Sequence, residues 1–262
     1  MGNGPPPLPP IPYPAWLTGA GTPAPAPAAT PPVPSPPPPP PPQLADTLRG
    51  MVNITGPVHY AGIIAAIHAA PLAERQAALN DAKLRADINS RLDGVWASTV
   101  MSSLLEGSQV WQNPTGNDFF KHFVTDGNTG TVPNSASMNC WESIMYGAYL
   151  SGDVSPAWIK SFYTSALAAP DPNGAVWTGL GFSSSLPHYA APGTGGSGGG
   201  VEPKPGQLIY FQTGSGVPGH VAVSLGGDQM ISLWNQPGGV DSVQRISVSQ
   251  ISGTVYVGNP PW

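Results

Sequence analysis

The sequence predicts an α+β fold in which a group of helices is followed by a small antiparallel sheet. Apolar residues recur with a helical period over residues 44–105. Two further helices are expected at 140–151 and 156–168, the first closed by a glycine and the second opened by a proline. Beyond residue 206 the apolar stretches are short and are bounded by Gly, Pro or Asp, as strands are. Helices that precede strands along a chain are typical of the α+β class.

Residues 1–43 form a proline-rich arm that is expected to be disordered. The arm holds 20 of the chain's 35 prolines, including an unbroken run at 36–42. Proline fixes φ and has no N–H group, so such a run favours extended polyproline II over helix. The arm is interpreted either as a spacer or as a docking strip for a partner with an aromatic groove.

The rest of the chain divides into a helical segment at 44–112 and an α+β domain at 113–262. Helix-breaking residues interrupt the helical segment at Gly56-Pro57, Pro71 and Asp93-Gly94. Its helices are expected at 44–51, 59–69, 72–84 and 87–105.

The α+β domain contains the strand candidates, which follow a glycine-rich stretch at 193–200. That stretch is interpreted as a mobile loop beside a cleft, since glycine and serine cannot pack. The strands are expected at 207–212, 220–225, 229–234 and 254–257.

The low charge of the chain excludes several classes of function. Charged residues make up 9% of the sequence and the formal net charge is -5, so the basic surface that nucleic-acid binding requires is missing. No apolar run is long enough for a transmembrane helix. The stretch from Met1 to Pro5 also lacks the features of a secretory signal.

The single cysteine lies at the predicted start of a helix. With Asn139 as the N-cap, Cys140 is the first helical residue, and Glu142 is placed to complete a capping box. The positive end of the helix dipole favours thiolate over thiol, so Cys140 is expected to be a nucleophile with a lowered pKa. One cysteine excludes an internal disulfide. Neither a metal site nor a cofactor is expected.

A histidine that can act as the base lies at the start of an apolar strand. At that position His220 is expected to face the edge of a cleft. The turn at Gly226-Gly227-Asp228 predicts a hairpin that pairs His220 directly with Ser232. Ser232 is therefore the leading candidate to orient the imidazole, and Asn235 and Asp241 are the alternatives.

The oxyanion of an acyl-transfer reaction needs hydrogen-bond donors near the nucleophile. The backbone N–H of Cys140 is the first candidate, because it lies at a helix start. A side-chain amide from Asn134 or Asn139 is the candidate for a second donor. Turn formation explains Asn134 equally well, and helix capping explains Asn139.

Three stretches occur along the chain in a fixed order. They are Asn139-Cys140 at a helix start, then Pro205-Gly206-Gln207-Leu208-Ile209-Tyr210-Phe211, then Gly219-His220-Val221-Ala222-Val223-Ser224-Leu225-Gly226. Together they resemble the papain-like NlpC/P60 superfamily of cysteine hydrolases, over about residues 134–257. The resemblance implies a cysteine helix packed on a small antiparallel sheet. It also implies that Cys140 attacks a carbonyl, that His220 transfers the proton and that Ser232 is the polar third residue.

The chain departs from the family pattern in ways that imply a changed substrate. Asn139 and Gln207 stand where the family commonly has Asp, and Ser232 stands where it has His, Asn, Gln or Asp. Relatives of this fold in bacterial polymorphic toxins include deamidases of glutamine side chains. Residues 69–107 also resemble the helical segments that precede toxin domains in such proteins.

These observations predict a toxin- or effector-type thiol hydrolase that acts on a protein or peptide through an acyl-thioester. Amide or peptide hydrolysis, glutamine deamidation and transglutamination stay open, as do peptidoglycan and host-protein substrates. Substrate contacts are expected in the loops at 110–135 and 170–205.

The expected partners and location follow from the same resemblance. Besides the substrate, an immunity or inhibitor protein or a delivery partner is expected, with secretion by a specialised route or otherwise a cytoplasmic location. The alternative is a non-catalytic interaction protein that recruits a partner through its polyproline arm.

Overall fold

The structure, a computed structural model, describes residues 43–189, 200–211, 217–235 and 241–262. These residues form helices and a five-stranded antiparallel sheet, which confirms the predicted α+β class. The proline-rich arm at 1–42 and the glycine-rich stretch at 193–199 lie outside the described residues. No helix in the described part of the chain is long and apolar enough to cross a membrane.

The first part of the described chain is helical, as expected. Its helices are α1 (Gln43–Val52), α2 (Tyr60–Ala69), α3 (Leu72–Asn80), α4 (Ala82–Arg91) and α5 (Gly94–Leu104). The predicted helices at 72–84 and 87–105 are wrong in their bounds, because α4 begins after Asp81 and ends at Arg91, before α5 starts at Gly94. The Asp81 carboxylate accepts a hydrogen bond from the Leu84 N–H at 2.9 Å and caps α4. This aspartate lies within a charged stretch, where apolar periodicity gives no sign of a break.

Further helices follow in the second part of the chain. They are α6 (Asp118–Phe120), which continues into a π-helical turn at Lys121–Thr125, then α7 (Cys140–Leu150), α8 (Pro156–Ala168) and α9 (Pro172–Gly179). Helices α7 and α8 confirm the sequence prediction, whereas α6 and α9 were not predicted. Helix α9 starts with ordinary signals, since Asp171 caps it and Pro172 is its first residue.

The main sheet is antiparallel throughout, with strand order β6-β5-β4-β3-β7. Its strands are β3 (Leu208–Phe211), β4 (His220–Gly226), β5 (Gln229–Trp234), β6 (Ser242–Ser247) and β7 (Tyr256–Gly258), and a separate short parallel pair is made by β1 (Val110–Trp111) and β2 (Ser137–Met138). Strand β6 was not predicted. It is an edge strand whose Ser, Gln and Arg residues dilute the apolar pattern.

Helix α7 is central to the fold and is buried along nearly its whole length. It packs against α5 and against strands β4 and β5. Its apolar residues share one hydrophobic core with helices α1–α5 and with one face of the sheet. A single apolar face is thus only part of the surface that α7 buries. This packing holds the first residue of α7 in a fixed position.

The start of β3 lies directly against helix α5 at Gly206. This residue has φ +82, a left-handed conformation that favours glycine. A Cβ at this position would lie 1.9 Å from Cγ1 and 2.9 Å from the carbonyl oxygen of Val95. The Pro205-Gly206 pair therefore has a structural reason, because it lets the sheet approach the helical layer.

Candidate active site

The N-terminus of α7 positions the cysteine. Asn139 is the N-cap, and its Oδ1 accepts a hydrogen bond from the Glu142 N–H at 2.9 Å. Glu142 Oε2 in turn accepts one from the Asn139 N–H at 2.7 Å. This confirms the predicted capping box and makes Cys140 the first residue of the helix. The cysteine is buried, with 4% of its surface exposed.

The electrostatic surroundings of Cys140 differ from the sequence prediction. Burial raises the pKa of the thiol to about 12, although the backbone N–H groups of Val221, Trp141 and Cys140 itself lower it. The carboxyl of Glu142 adds a smaller upward shift. The expectation of a lowered pKa was therefore wrong for this site without substrate. The helix start does direct N–H groups at the sulfur, but loss of solvation outweighs them.

Glu142 is fully buried two residues after the cysteine. Its Oε2 also accepts a hydrogen bond from Asn117 Nδ2 at 2.5 Å, and its Oε1 is bonded to the Tyr163 hydroxyl. Burial raises the pKa of Glu142 to about 8, against the lowering effect of these hydrogen bonds. At pH 7 the carboxyl is thus mainly protonated. Its charge therefore raises the pKa of the Cys140 thiol mainly above about pH 8, where Glu142 is ionised.

His220 is the first residue of β4 and is held by Ser232. The distance from His220 Nε2 to Ser232 Oγ is 2.8 Å, and Ser232 Oγ also donates to the Val221 carbonyl oxygen at 2.8 Å. A carbonyl only accepts, so the single hydroxyl proton of Ser232 is used there. Ser232 must then accept from a protonated Nε2. His220 is therefore the tautomer whose Nδ1 carries the free lone pair.

The predicted direct pairing of His220 with Ser232 was wrong by two residues. Val223 pairs with Ile231, and Ser224 pairs with Met230. Continuing this register places Ser232 opposite Ala222, from which its hydroxyl reaches His220 diagonally on the same face. The contact was predicted correctly, but the alignment of the strands was not.

Two aromatic rings fix the plane of the imidazole. Its centroid lies 4.9 Å from that of Phe211 and 4.8 Å from that of Trp234. Burial lowers the pKa of His220 to about 3. The imidazole is therefore neutral at pH 7.

Cys140 and His220 open into one pocket of about 710 Å³. The sulfur accepts from the N–H of Val221, the residue that follows His220, so one peptide unit separates the thiol from the histidine backbone. No hydrogen bond between the two side chains is present among the described residues. The imidazole packs on Phe211 and Trp234, which belong to a different apolar cluster from the one that contains Cys140.

Of the other predicted site residues, some line the pocket and some lie outside it. Asn139 lines the pocket, but its side-chain oxygen is used in the capping box. Asn134 is outside the lining, so the expected oxyanion role of its side-chain amide is not supported. Asn235 is exposed at the pocket rim, and Asp241 is exposed outside the lining. Ser232 is thus the residue that orients His220.

Several pocket residues were missed by reasoning from the sequence. Trp111 is the last residue of β1 and Asn113 follows this strand, whereas Asn173 and Trp177 come from α9. These four lie in the two loops where substrate contacts were expected, but no local pattern singled them out. Val217 and the strand-end residue Trp234 complete the wall near the histidine.

Replacement of Ser232 by alanine is expected to slow alkylation of Cys140 at pH 7 by about tenfold to a hundredfold, because His220 loses the bond that fixes its tautomer. The measurement is the rate of iodoacetamide labelling by intact mass. Ser232→Thr keeps the hydroxyl and is expected to restore the rate. If Ser232→Ala has the same rate and pH profile as the parent protein, the hydrogen bond has no part in the reactivity of Cys140.

Among the described residues, no group of His, Cys, Asp and Glu side chains is arranged to hold a metal ion. No protein-family model, curated protein or solved structure matches the chain, so the geometry of the site itself is the basis for its functional interpretation.

Proposed function

We propose that this protein is a cysteine hydrolase of the papain-like NlpC/P60 type that cleaves an amide through an acyl-thioester. Cys140 is the nucleophile, His220 is the general base and Ser232 orients the base. The observation that carries this proposal is the hydrogen bond from His220 Nε2 to Ser232, which leaves Nδ1 unprotonated in the pocket that holds the thiol.

The reaction begins from a neutral pair, since burial disfavours both the thiolate and the imidazolium. When a substrate carbonyl reaches the sulfur, Nδ1 of His220 takes the thiol proton as the S–C bond forms. Backbone N–H groups at the start of α7 stabilise the oxyanion that develops. The C–N bond then breaks, and the imidazolium gives its proton to the leaving nitrogen. Water, activated by the same imidazole, cleaves the thioester to a carboxylate and regenerates the thiol.

Loss of the thiol is expected to abolish turnover. The full chain is incubated with a set of amide substrates that includes glutamine peptides and peptidoglycan stem peptides, and amine and ammonia release are measured. Any activity is expected to fall by at least about 10³-fold in Cys140→Ala, because the described lining of the pocket holds no other thiol, hydroxyl or amine side chain. Acid quenching of the parent with substrate is expected to trap an acyl adduct on Cys140 by mass.

Asp241→Ala is the matched control, since Asp241 lies outside the pocket lining and is exposed. It is expected to retain parental turnover. Activity that survives in Cys140→Ala would overturn the proposal.

The raised pKa of Cys140 favours one alternative, a non-catalytic interaction protein that recruits a partner through residues 1–43. In that case His220 has no influence on the reactivity of the thiol, and deletion of residues 1–42 abolishes the biological effect. If the protein is an enzyme, the same deletion leaves turnover intact.

A further inference from the structure

The pocket around Cys140 is uncharged. Its described lining consists mainly of tryptophans and asparagines, and Cys140 and His220 are its only ionisable side chains. The tryptophans are Trp111, Trp141, Trp177 and Trp234, and the asparagines are Asn113, Asn139, Asn173 and Asn235. No described lining residue is Asp, Glu, Lys or Arg.

The stretches of sequence that border the described segments add no charge. Residues 212–216 and 236–240, which flank the described pocket residues, contain no Asp, Glu, Lys, Arg or His. The same holds for residues 190–199. The neutrality of the pocket therefore does not depend on which of these segments contributes to its rim.

The floor of the pocket disfavours ionised groups of either sign. Burial raises the pKa of the Cys140 thiol and lowers the pKa of the His220 imidazole, so both are held neutral. An ionised ligand would lose its hydration here without meeting an opposite charge. A neutral ligand has no such cost.

The polar groups of the wall match an amide. The side chains of Asn113, Asn173 and Asn235 lie at exposed positions, and each offers a donor and an acceptor, as a carboxamide does. The buried indole N–H of Trp177, a residue of the pocket wall, has no acceptor among the described residues.

The depth of the site favours a slim group. Cys140, Trp141, Trp177 and Trp234 are each less than a tenth exposed. A carboxamide at the end of a side chain can reach the sulfur end-on, whereas an unbroken main chain must pass across it.

From these observations we infer that the acyl donor is an uncharged side-chain carboxamide, of the glutamine or asparagine type, on a peptide without ionised groups near the reacting amide. This inference rests on the proposed function and specifies its substrate. The S–C bond forms, the C–N bond breaks and ammonia leaves with the thiol proton delivered by His220. Water then cleaves the thioester. The product is a carboxylate, which the uncharged pocket disfavours, so its release is favoured.

The first test compares a neutral and an anionic reagent on the only thiol in the chain. Alkylation rates of Cys140 by iodoacetamide and by iodoacetate are measured by intact mass in the folded full chain and in urea. The ratio of the two rates is expected to be at least about tenfold higher in the folded protein than in the denatured one. Equal ratios would overturn the inference.

A charge placed at the rim should change this ratio. Asn235→Lys adds a cation beside the pocket and is expected to lower the folded-state ratio several-fold by attracting iodoacetate. Asn80→Lys makes the same change at an exposed position of α3, outside the lining, and is expected to leave it unchanged. An equal fall in both variants would mean that overall charge, not the pocket, controls the ratio.

The second test addresses the carboxamide itself. N-acetylglutamine N-methylamide is expected to slow alkylation of Cys140 or to release ammonia, and N-acetylglutamate N-methylamide at the same concentration is expected to do neither. Protection by both compounds or by neither would overturn the inference.

The catalytic proposal and the substrate inference can be disproved independently of each other. If protection by the glutamine compound persists while His220→Ala leaves thiol reactivity unchanged, the neutral carboxamide site stands and the catalytic proposal falls. If His220 controls reactivity but the reagent ratio equals that in urea, the catalytic proposal stands and the substrate inference falls.

Discussion

Replacement of His220 by alanine is expected to slow alkylation of Cys140 at pH 7 by at least about 10²-fold. In the parent protein the thiol and the imidazole are both neutral over a wide range, because burial sets the pKa of His220 at about 3 and that of Cys140 at about 12. General-base assistance by His220 then gives a rate that is nearly independent of pH between about 4 and 9. The rate falls at lower pH as the imidazole takes up a proton.

Without the imidazole only the thiolate reacts. The rate in His220→Ala is therefore expected to rise about tenfold per pH unit up to the pKa of the thiol. Intact-mass kinetics with iodoacetamide from pH 4 to pH 10 measure both profiles. His188→Ala is the matched control, because His188 packs on Tyr256 outside the pocket lining. If the alkylation rate of the parent protein already rises tenfold per pH unit from pH 4 to pH 10, general-base assistance is excluded.

Replacement of Glu142 by leucine is expected to destabilise the protein by several kcal/mol, enough to unfold a marginally stable domain. The change leaves the Asn139 N–H, the Asn117 amide and the Tyr163 hydroxyl without their buried partner. Each buried polar group that loses its partner costs about 1–3 kcal/mol. Urea unfolding followed by circular dichroism gives the free energy of unfolding.

Glu142→Gln keeps the shape and the hydrogen-bonding capacity, so it is expected to fold and to change the dependence of stability on pH. Burial raises the pKa of Glu142 to about 8 in the folded protein, above the value of about 4.3 expected when unfolded. Between these values the folded state binds a proton that the unfolded state does not. Stability therefore falls as pH rises, by up to about 1.4 kcal/mol per unit.

This slope is expected to be absent in Glu142→Gln, which cannot titrate. Free energies of unfolding at pH 5, 6, 7 and 8 in the two proteins test it. Parallel curves would show that Glu142 is ionised in the folded protein and that its pKa is not raised. An intact fold of Glu142→Leu at parental stability would contradict the role of Glu142 as a buried hydrogen-bonding centre.

The local features of the site could be predicted because short-range rules determine them. The capping box depends on two residues three positions apart, and it formed as expected between Asn139 and Glu142. The His220–Ser232 contact also followed from a single hairpin. The predicted strand register was wrong because the loop of the hairpin consists of Gly227 and Asp228. Gly226 pairs with Gln229, and the pairing is irregular between Ser224 and Gly226. Positive φ at adjacent glycines permits several such turns, and the sequence does not choose among them.

The properties that depend on distant parts of the chain could not be predicted in the same way. The helix start alone favours a thiolate at Cys140, but the pKa is decided by burial under residues from other elements. The pocket wall likewise combines Trp111, Asn173 and Trp234, which are far apart in sequence. The papain-like architecture itself stays a proposal.

The neutral state of Cys140 affects how the protein tolerates oxidants. Peroxides attack thiolates much faster than thiols and reach exposed sulfur more readily than buried sulfur. A buried thiol with a pKa of about 12 is therefore protected from sulfenic acid formation for as long as it keeps its proton. With only one cysteine, the chain has no second thiol to reverse such damage by forming a disulfide. If Cys140 is the nucleophile proposed above, keeping the thiol protonated at rest preserves it for its first encounter with substrate, even outside a reducing environment.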